Sequence, residues 1–170
     1  LDAGDHVIAS DDLYGGTYRL MEDVRKRTSS LDFSFVDFSS TENILKEIKS
    51  NTKMLWLETP SNPLLKISDL EEISSVITDK NIIKVCDNTF SSPWIQRPLD
   101  FNFDIVMHSA TKYIGGHSDV VGGLAITSKN RTDLSNELAY LINASGGIAG
   151  PFDSFLLLRS LKTLSVRMQT

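Results

Sequence analysis

The 170-residue sequence has an ordinary globular composition, with 41% apolar and 23% charged residues, and is long enough for one sizeable core. Its 17 basic and 22 acidic residues give a net charge of -5, and no basic run could follow a phosphate backbone, which argues against nucleic acid as a partner. The sequence lacks an apolar stretch of the roughly 20 residues that a membrane span needs, so we expect a soluble protein with no membrane partner. It has a single cysteine, Cys86, which agrees with the reducing cytoplasm.

Short apolar runs alternate with longer amphipathic stretches along the chain, a pattern typical of a parallel sheet covered by helices on both faces. The apolar runs predict six strands, at residues 6–10, 33–37, 54–58, 82–87, 105–109 and 124–127. The amphipathic stretches predict five helices, at residues 18–27, 41–48, 69–78, 133–143 and 153–164. The predicted fold class is therefore α/β, with three αβα layers around a mostly parallel sheet.

The helix predicted at residues 69–78 has the clearest start signal. Ser68 is followed three residues later by Glu71, which is the spacing of a capping box. We therefore expect Ser68 to cap this helix, in a purely structural role.

Polar and charged residues follow three of the predicted strands. The motif ETPSNP occupies residues 58–63, DNTF occupies residues 87–90, and SATK occupies residues 109–112. Because the carboxyl ends of parallel strands meet at one edge of the sheet, these three motifs are expected to line a single crevice.

Lys112 is the strongest candidate for covalent chemistry. A lysine amine forms a Schiff base with an aldehyde cofactor when a partly desolvated pocket keeps it neutral often enough to attack. Most lysines are instead solvated surface charges. Lys112, however, follows a buried strand, between the hydroxyls of Ser109 and Thr111 and a flexible Gly115-Gly116 pair, and such hydroxyls are suited to binding phosphate.

Asp87 has two possible roles, and so do Tyr14 and Arg19 of the segment YGGTYR at residues 14–19. Asp87 is either a helix N-cap or the anion that pairs with a protonated pyridine nitrogen. Tyr14 is either a packing residue or a ring that lies flat on a planar cofactor, since the two glycines after it allow close approach. Arg19 is either a charged surface residue or a side chain that binds a carboxylate of the substrate.

A metal site is not expected. No spacing among His6, His108, His117 and Cys86 matches a set of metal ligands. Cys86 lies inside a predicted buried strand, where a free cysteine behaves as a small apolar side chain.

These motifs, together with DIVMHSATKYIGGHSD at residues 104–119, resemble the trans-sulfuration enzymes of cysteine and methionine metabolism, which are fold-type-I enzymes dependent on pyridoxal 5'-phosphate (PLP). The resemblance covers nearly the whole chain and is nearest to cystathionine γ-synthases, with cystathionine γ-lyases next. It implies that residues 1–150 form a PLP-binding large domain whose N-terminal part is missing. Residues 151–170 would form a helix leading toward an absent C-terminal small domain.

The resemblance also implies a role for each site residue. Lys112 would bind PLP and transfer protons, Asp87 would pair with the pyridine nitrogen, and Tyr14 would stack on the ring and take part in catalysis. Further cofactor contacts would come from Ser109 and Thr111 at the phosphate, Asn62 at the ring hydroxyl, and Thr89. Arg19 and Glu58 would contact the substrate.

The implied reaction is γ-replacement, in which cysteine displaces the acyl group of an activated homoserine ester to give cystathionine. The alternative is γ-elimination, which cleaves cystathionine to cysteine, 2-oxobutanoate and ammonia. The resemblance further implies amino-acid substrates and a homotetramer whose active sites are shared across a dimer. A rival reading is a non-catalytic α/β module with an incomplete pocket.

Overall fold

The sheet is the centre of the fold. In the computed structural model, which describes residues 1–169, the strands are β1 (His6–Ser10), β2 (Asp32–Val36), β3 (Thr52–Glu58), β4 (Ile83–Asp87), β5 (Ile105–Ser109) and β6 (Gly123–Thr127). They form one sheet in the order β2-β1-β3-β4-β5-β6. All neighbouring pairs are parallel except β5 and β6. The predicted mostly parallel α/β fold is therefore confirmed.

Helices connect the strands and cover the sheet. After β1, one continuous helical segment comprises α1 (Gly15–Arg19), a π-helical turn (Leu20–Arg25) and α2 (Lys26–Ser29). The later helices are α3 (Thr41–Lys46), α4 (Leu70–Val76), α5 (Ser92–Ile95), a 3-10 helix (Pro98–Phe101), α6 (Thr132–Ser145), α7 (Pro151–Leu161) and α8 (Leu164–Arg167). None of the helices within residues 1–169 is both long and apolar enough to cross a bilayer.

The five predicted helices are all present, with shifted ends. The helix expected at residues 153–164 is two helices, α7 and α8, because the chain turns at Lys162 and Thr163. Two short helices, α5 and the 3-10 helix, were not predicted. Each is four residues long and too short to show an amphipathic period.

The cap of α4 corrects one prediction. Asp69, not Ser68, is the N-cap, and its carboxylate accepts a hydrogen bond from the Glu72 main-chain N–H at 2.9 Å. Ser68 is buried and its own N–H donates to the Thr59 hydroxyl at 3.1 Å. The capping-box assignment was therefore one residue out of register, since Asp is as good a cap as Ser and stands next to it.

Alternation along the strands divides the apolar side chains between two faces of the sheet. The main core lies under α3 and α4 and contains Ile8, Leu57, Cys86 and Phe103, all almost completely buried. Burial raises the pKa of the Cys86 thiol well above its usual range, which agrees with a packing role. The opposite face carries Ala9 and other side chains that pack with Met21 of the π-helical turn. Near Asp87, this second face is open and carries the candidate site.

Leu57 and Leu64 provide a matched test of this core. Leu57 is 0% exposed, whereas Leu64 is 67% exposed. We expect Leu57→Ala to lower the free energy of unfolding by about 2–5 kcal/mol, because a buried leucine leaves a cavity. Leu64→Ala should change it by about 0.5 kcal/mol or less. Denaturant unfolding measures both, and equal losses would contradict this description of the core.

Candidate functional site

A cavity of about 650 Å³ opens at the carboxyl ends of β3, β4 and β5. Its volume lies within the range of small-molecule sites. One wall comes from the start of α1 and another from the segment that follows β5. The residues that line it are Tyr14, Gly16, Thr17, Leu20, Glu58, Pro60, Asn62, Asp87, Thr89, Phe90, Met107, Ser109, Thr111, Lys112, Val121 and Gly122.

The fold brings nearly all of the predicted site residues to this cavity. The exception is Arg19, which is exposed on α1 and is not among the lining residues. Its guanidinium lies close to Gly15, where an added Cβ would come within 3.3 Å of it. The eight predicted residues that do line the cavity are Tyr14, Glu58, Asn62, Asp87, Thr89, Ser109, Thr111 and Lys112.

Strand register places two carboxylates side by side on the cavity floor. Glu58 pairs with Asp87 across β3 and β4, and Asp87 pairs with Met107 across β4 and β5. Paired residues on parallel strands point to the same face. Glu58, Asp87 and Met107 therefore form one row across the sheet, and all three line the cavity.

Asp87 is held by the residue two positions after it. One carboxylate oxygen accepts hydrogen bonds from the Thr89 main-chain N–H at 3.0 Å and from the Thr89 hydroxyl at 2.6 Å. The same hydroxyl accepts the Ser109 main-chain N–H at 2.8 Å. Thr89 thus ties the end of β4 to the end of β5. Burial raises the pKa of Asp87, and the two hydrogen bonds from Thr89 oppose that rise.

Glu58 is 6% exposed and accepts the Tyr14 main-chain N–H at 3.0 Å. Burial is the main cause that raises the pKa of its carboxyl to about 7. The nearby charges of Asp87 and Asp12 add to the rise, while the hydrogen bond from the Tyr14 main chain opposes it. Glu58 is therefore close to half ionised at neutral pH.

Lys112 lies in a tight turn directly after β5. Its main-chain N–H donates to the Ser109 carbonyl at 3.2 Å, and its carbonyl accepts the Gly116 N–H at 2.7 Å. Its side chain lies between the main cavity and an adjoining cavity of about 610 Å³, which is also lined by Ser118 and Asp119. The side chain is exposed, in contrast to the desolvated environment that the sequence suggested.

The turn that carries Lys112 is supported from behind by α8. The Arg167 guanidinium donates to the Tyr113 carbonyl at 2.5 Å and to the Ser160 carbonyl at 3.0 Å. Gly116 has a φ of +69°, and a Cβ there would lie 2.2 Å from the same guanidinium. The backbone of the turn therefore requires glycine at this position for both conformation and space.

The Thr111 hydroxyl is engaged with the main chain. It accepts the Gly122 N–H at 3.0 Å and donates to the Gly122 carbonyl at 3.3 Å. These bonds join the Lys112 turn to the start of β6. Ser109, on the other side of the turn, presents its side chain to the main cavity.

A polar network that the sequence reading missed fixes the loop carrying Asn62. The carboxylate of Asp12 accepts hydrogen bonds from the Ser61 hydroxyl and from the Leu64 main-chain N–H, the latter at 2.9 Å. The Lys66 ammonium bridges this loop to Asp11 at 2.8 Å. Asp12 lies two residues after the end of β1, and Asp87 is the last residue of β4, so inspection of every strand end would have found Asp12 as well.

The residues fit PLP. Asp87 is a buried carboxyl whose pKa is raised because burial disfavours its ionised form. A protonated ring nitrogen beside it would stabilise that ionised form. The Lys112 amine and the aromatic ring of Tyr14 line the same cavity. The glycine at position 16 is what gives the Tyr14 ring room, since a Cβ there would lie 2.4 Å from a ring carbon.

Comparisons with known proteins give one consistent result. The family model described as Cys/Met metabolism PLP-dependent enzyme matches residues 1–170. A cystathionine beta-lyase of Coxiella burnetii is 57% identical over 99% of this chain, and a probable cystathionine gamma-synthase of Herpetosiphon aurantiacus is 51% identical over 99%. The crystal structure of a cystathionine gamma-lyase from Lactobacillus plantarum with L-serine is 44% identical over 98% of this chain, with a TM-score of 0.93.

The chain is shorter than these relatives. It spans 43% of the Coxiella protein, 52% of the Herpetosiphon protein and 43% of the Lactobacillus chain. The structural match confirms the predicted fold-type-I architecture.

Gly16 and Gly15 provide a matched pair for testing the position of Tyr14. We expect Gly16→Ala to weaken PLP binding about tenfold or more, because the new methyl group forces the Tyr14 ring to move. Gly15→Ala should have little effect, since its methyl group would meet only the flexible Arg19 side chain. Titration of the cofactor absorbance measures both, and equal affinities in the two variants would contradict the stacking role of Tyr14.

Proposed function

Because the chain belongs to the Cys/Met metabolism PLP-dependent enzyme family, we propose that its protein is an enzyme that makes or breaks a carbon-sulfur bond in cystathionine. Membership confirms the resemblance read from the sequence motifs and PLP as the cofactor of the family. The observation that supports catalysis is the arrangement of Lys112, Asp87 and Tyr14 around one cavity.

Seven of the cavity residues have a proposed task toward PLP. Lys112 would bond to the cofactor through its amine, and the buried carboxylate of Asp87 would keep a proton on the ring nitrogen. Tyr14 would cover one face of the ring, and the Asn62 amide would donate to the ring hydroxyl. Ser109 would hold the phosphate, and Thr111 would also do so by exchanging its hydrogen bonds to Gly122 for bonds to the phosphate. Thr89 acts indirectly, by orienting Asp87.

When bound, PLP supplies an electron sink that stabilises negative charge at the α-carbon of the amino-acid substrate. The Lys112 amine, once displaced by the substrate, removes the α-proton and returns it later. Its place in a turn that is hydrogen-bonded at both ends fixes the main chain while the side chain can reach either cavity. Tyr14, at the edge of the cavity, is the second proposed participant in catalysis.

For the reaction itself we propose γ-replacement. The Cγ–O bond of an acylated homoserine breaks, the acyl group leaves as a carboxylate, and the cysteine sulfur bonds to Cγ to give cystathionine. The gamma-synthase relative supports this reaction. γ-Elimination of cystathionine is the alternative from the sequence, and Arg19 remains the proposed contact for a distal carboxylate.

A third candidate reaction comes from the comparisons. The Coxiella relative, at 57% identity, is named a cystathionine beta-lyase. β-Elimination would break the bond between sulfur and the β-carbon of the cysteine-derived part, and so release homocysteine, pyruvate and ammonia from cystathionine. The sequence motifs did not suggest this direction, because the cofactor residues are the same for all three reactions.

We further propose that the site is completed outside this chain. Both cavities at Lys112 are open, and the Tyr14 side chain is 52% exposed. A homotetramer with sites shared across a dimer would cover these surfaces, in a cytoplasmic protein with no nucleic-acid or membrane partner. The proposed boundary near residue 150 lies between α6 and α7, with residues 1–150 as the cofactor domain and residues 151–170 leading toward a second domain.

Covalent trapping tests the cofactor role of Lys112. We expect borohydride to fix PLP on the peptide that contains Lys112 and on no peptide of the Lys112→Ala variant. Lys129→Ala, which removes an exposed lysine, should be labelled like the wild type. Mass spectrometry of the digested protein gives the answer. A colourless wild-type protein with no label at Lys112 would favour the non-catalytic module instead.

Product analysis separates the three reactions. We expect cystathionine to accumulate when O-succinylhomoserine and cysteine are supplied together. Supplied with cystathionine alone, a γ-lyase releases 2-oxobutanoate and a β-lyase releases pyruvate. Chromatography of the keto acids distinguishes these products, and dominant pyruvate without any replacement product would overturn the γ-synthase proposal in favour of β-elimination.

A further inference from the structure

We propose that Glu58 is a positioning residue that holds Tyr14 through its main-chain N–H group, and that protonation of the Glu58 carboxyl loosens this hold. The role replaces the substrate contact expected from the sequence. As a statement about the cofactor pocket it rests on the proposed function, but the contacts on which it depends are within the chain itself.

Glu58 stands where three parts of the site meet. It is the last residue of β3, and its own N–H donates to the Ser10 hydroxyl at 3.3 Å, which ties it to the end of β1. Its Oε2 accepts the Tyr14 N–H at 3.0 Å. One buried side chain therefore connects the ends of β1 and β3 to the loop that carries Tyr14.

This arrangement differs from a substrate contact. The Tyr14 N–H is one of the free donors at the start of α1, and the carboxylate satisfies it there. A carboxylate that accepts a main-chain N–H at 6% exposure is held by the backbone rather than free to bind a substrate. Its effect on a ligand therefore acts through Tyr14.

The surroundings make this carboxylate responsive to pH. Asp87 faces it from β4 and Asp12 from the loop after β1, and both disfavour its ionised form. Behind it, a small cleft is lined by charged groups that pair with one another, namely Asp11, Asp37 and Lys66. The Lys112 amine lines the main cavity with it. With a pKa of about 7, the carboxyl is mostly protonated at pH 6 and mostly ionised at pH 8.

The sign of the effect follows from hydrogen-bond strength. An ionised carboxylate is the stronger acceptor for an N–H donor. Above neutral pH, Glu58 therefore holds the Tyr14 loop firmly, and below neutral pH the strength of this hydrogen bond approaches that of a bond to a neutral amide oxygen. A glutamine at this position is the isosteric mimic of the protonated state.

The direct test observes the Tyr14 amide. In protein labelled with ¹⁵N-tyrosine, the Tyr14 signal is assigned by its loss in Tyr14→Phe. We expect its amide proton to move to lower field as the pH rises, with a midpoint of about 7, and to stay fixed in Glu58→Gln. Glu71→Gln, an exposed change on α4, should titrate like the wild type. A wild-type Tyr14 signal that does not move, or one that moves equally in Glu58→Gln, overturns the proposal.

Cofactor affinity provides the second readout. At pH 8 we expect Glu58→Gln to bind PLP about tenfold more weakly than the wild type, and at pH 6 the two proteins should differ about twofold or less. A ratio that is the same at both pH values would show that Glu58 acts by packing alone and would overturn the role of its protonation. Wild-type protein that binds no PLP would defeat the proposed function, while the Tyr14 titration would still decide the role of Glu58.

Discussion

The parallel register of β3, β4 and β5 is the constraint on which the site depends. It places Glu58, Asp87 and Met107 in one row at the same edge and on the same face of the sheet. A shift of one residue would turn either carboxylate toward the apolar core. The Thr89 hydroxyl fixes this edge, since it donates to Asp87 at the end of β4 and accepts the N–H of Ser109 at the end of β5.

Glu58 and Asp87 lie on neighbouring strands, and their buried carboxylates would repel each other if both were ionised. Different hydrogen-bond donors stabilise the ionised form of each carboxyl. Asp87 accepts two hydrogen bonds from Thr89, whereas Glu58 accepts the Tyr14 main-chain N–H and its pKa is raised to about 7. A ligand with a protonated nitrogen over Asp87 would fit these two carboxyls, because its positive charge would lower the pKa of both.

The sequence predicted the sheet and the strand-end residues well, because buried strands are apolar runs and loops at their carboxyl ends converge. It could not predict the Glu58 to Tyr14 bond or the Ser61 to Asp12 bond, since each joins residues more than 40 positions apart. Ser68 was misread for a local reason, because Asp69 offers an equally good cap. The exposure of Lys112 was also misjudged, since burial depends on surfaces that lie outside its own motif.

The Lys112 turn has a rigid main chain and an exposed side chain. Arg167 donates to the Tyr113 and Ile114 carbonyls of the turn and to the Ser160 carbonyl of α7, and Gly116 adopts the positive φ that closes the turn. On the same side, Ile114 packs with Leu157 in a small buried cluster. The main chain is thus fixed from below while the amine faces two open cavities. The position of the Lys112 main chain is therefore set by contacts within the described part of the chain, to α7 and to α8.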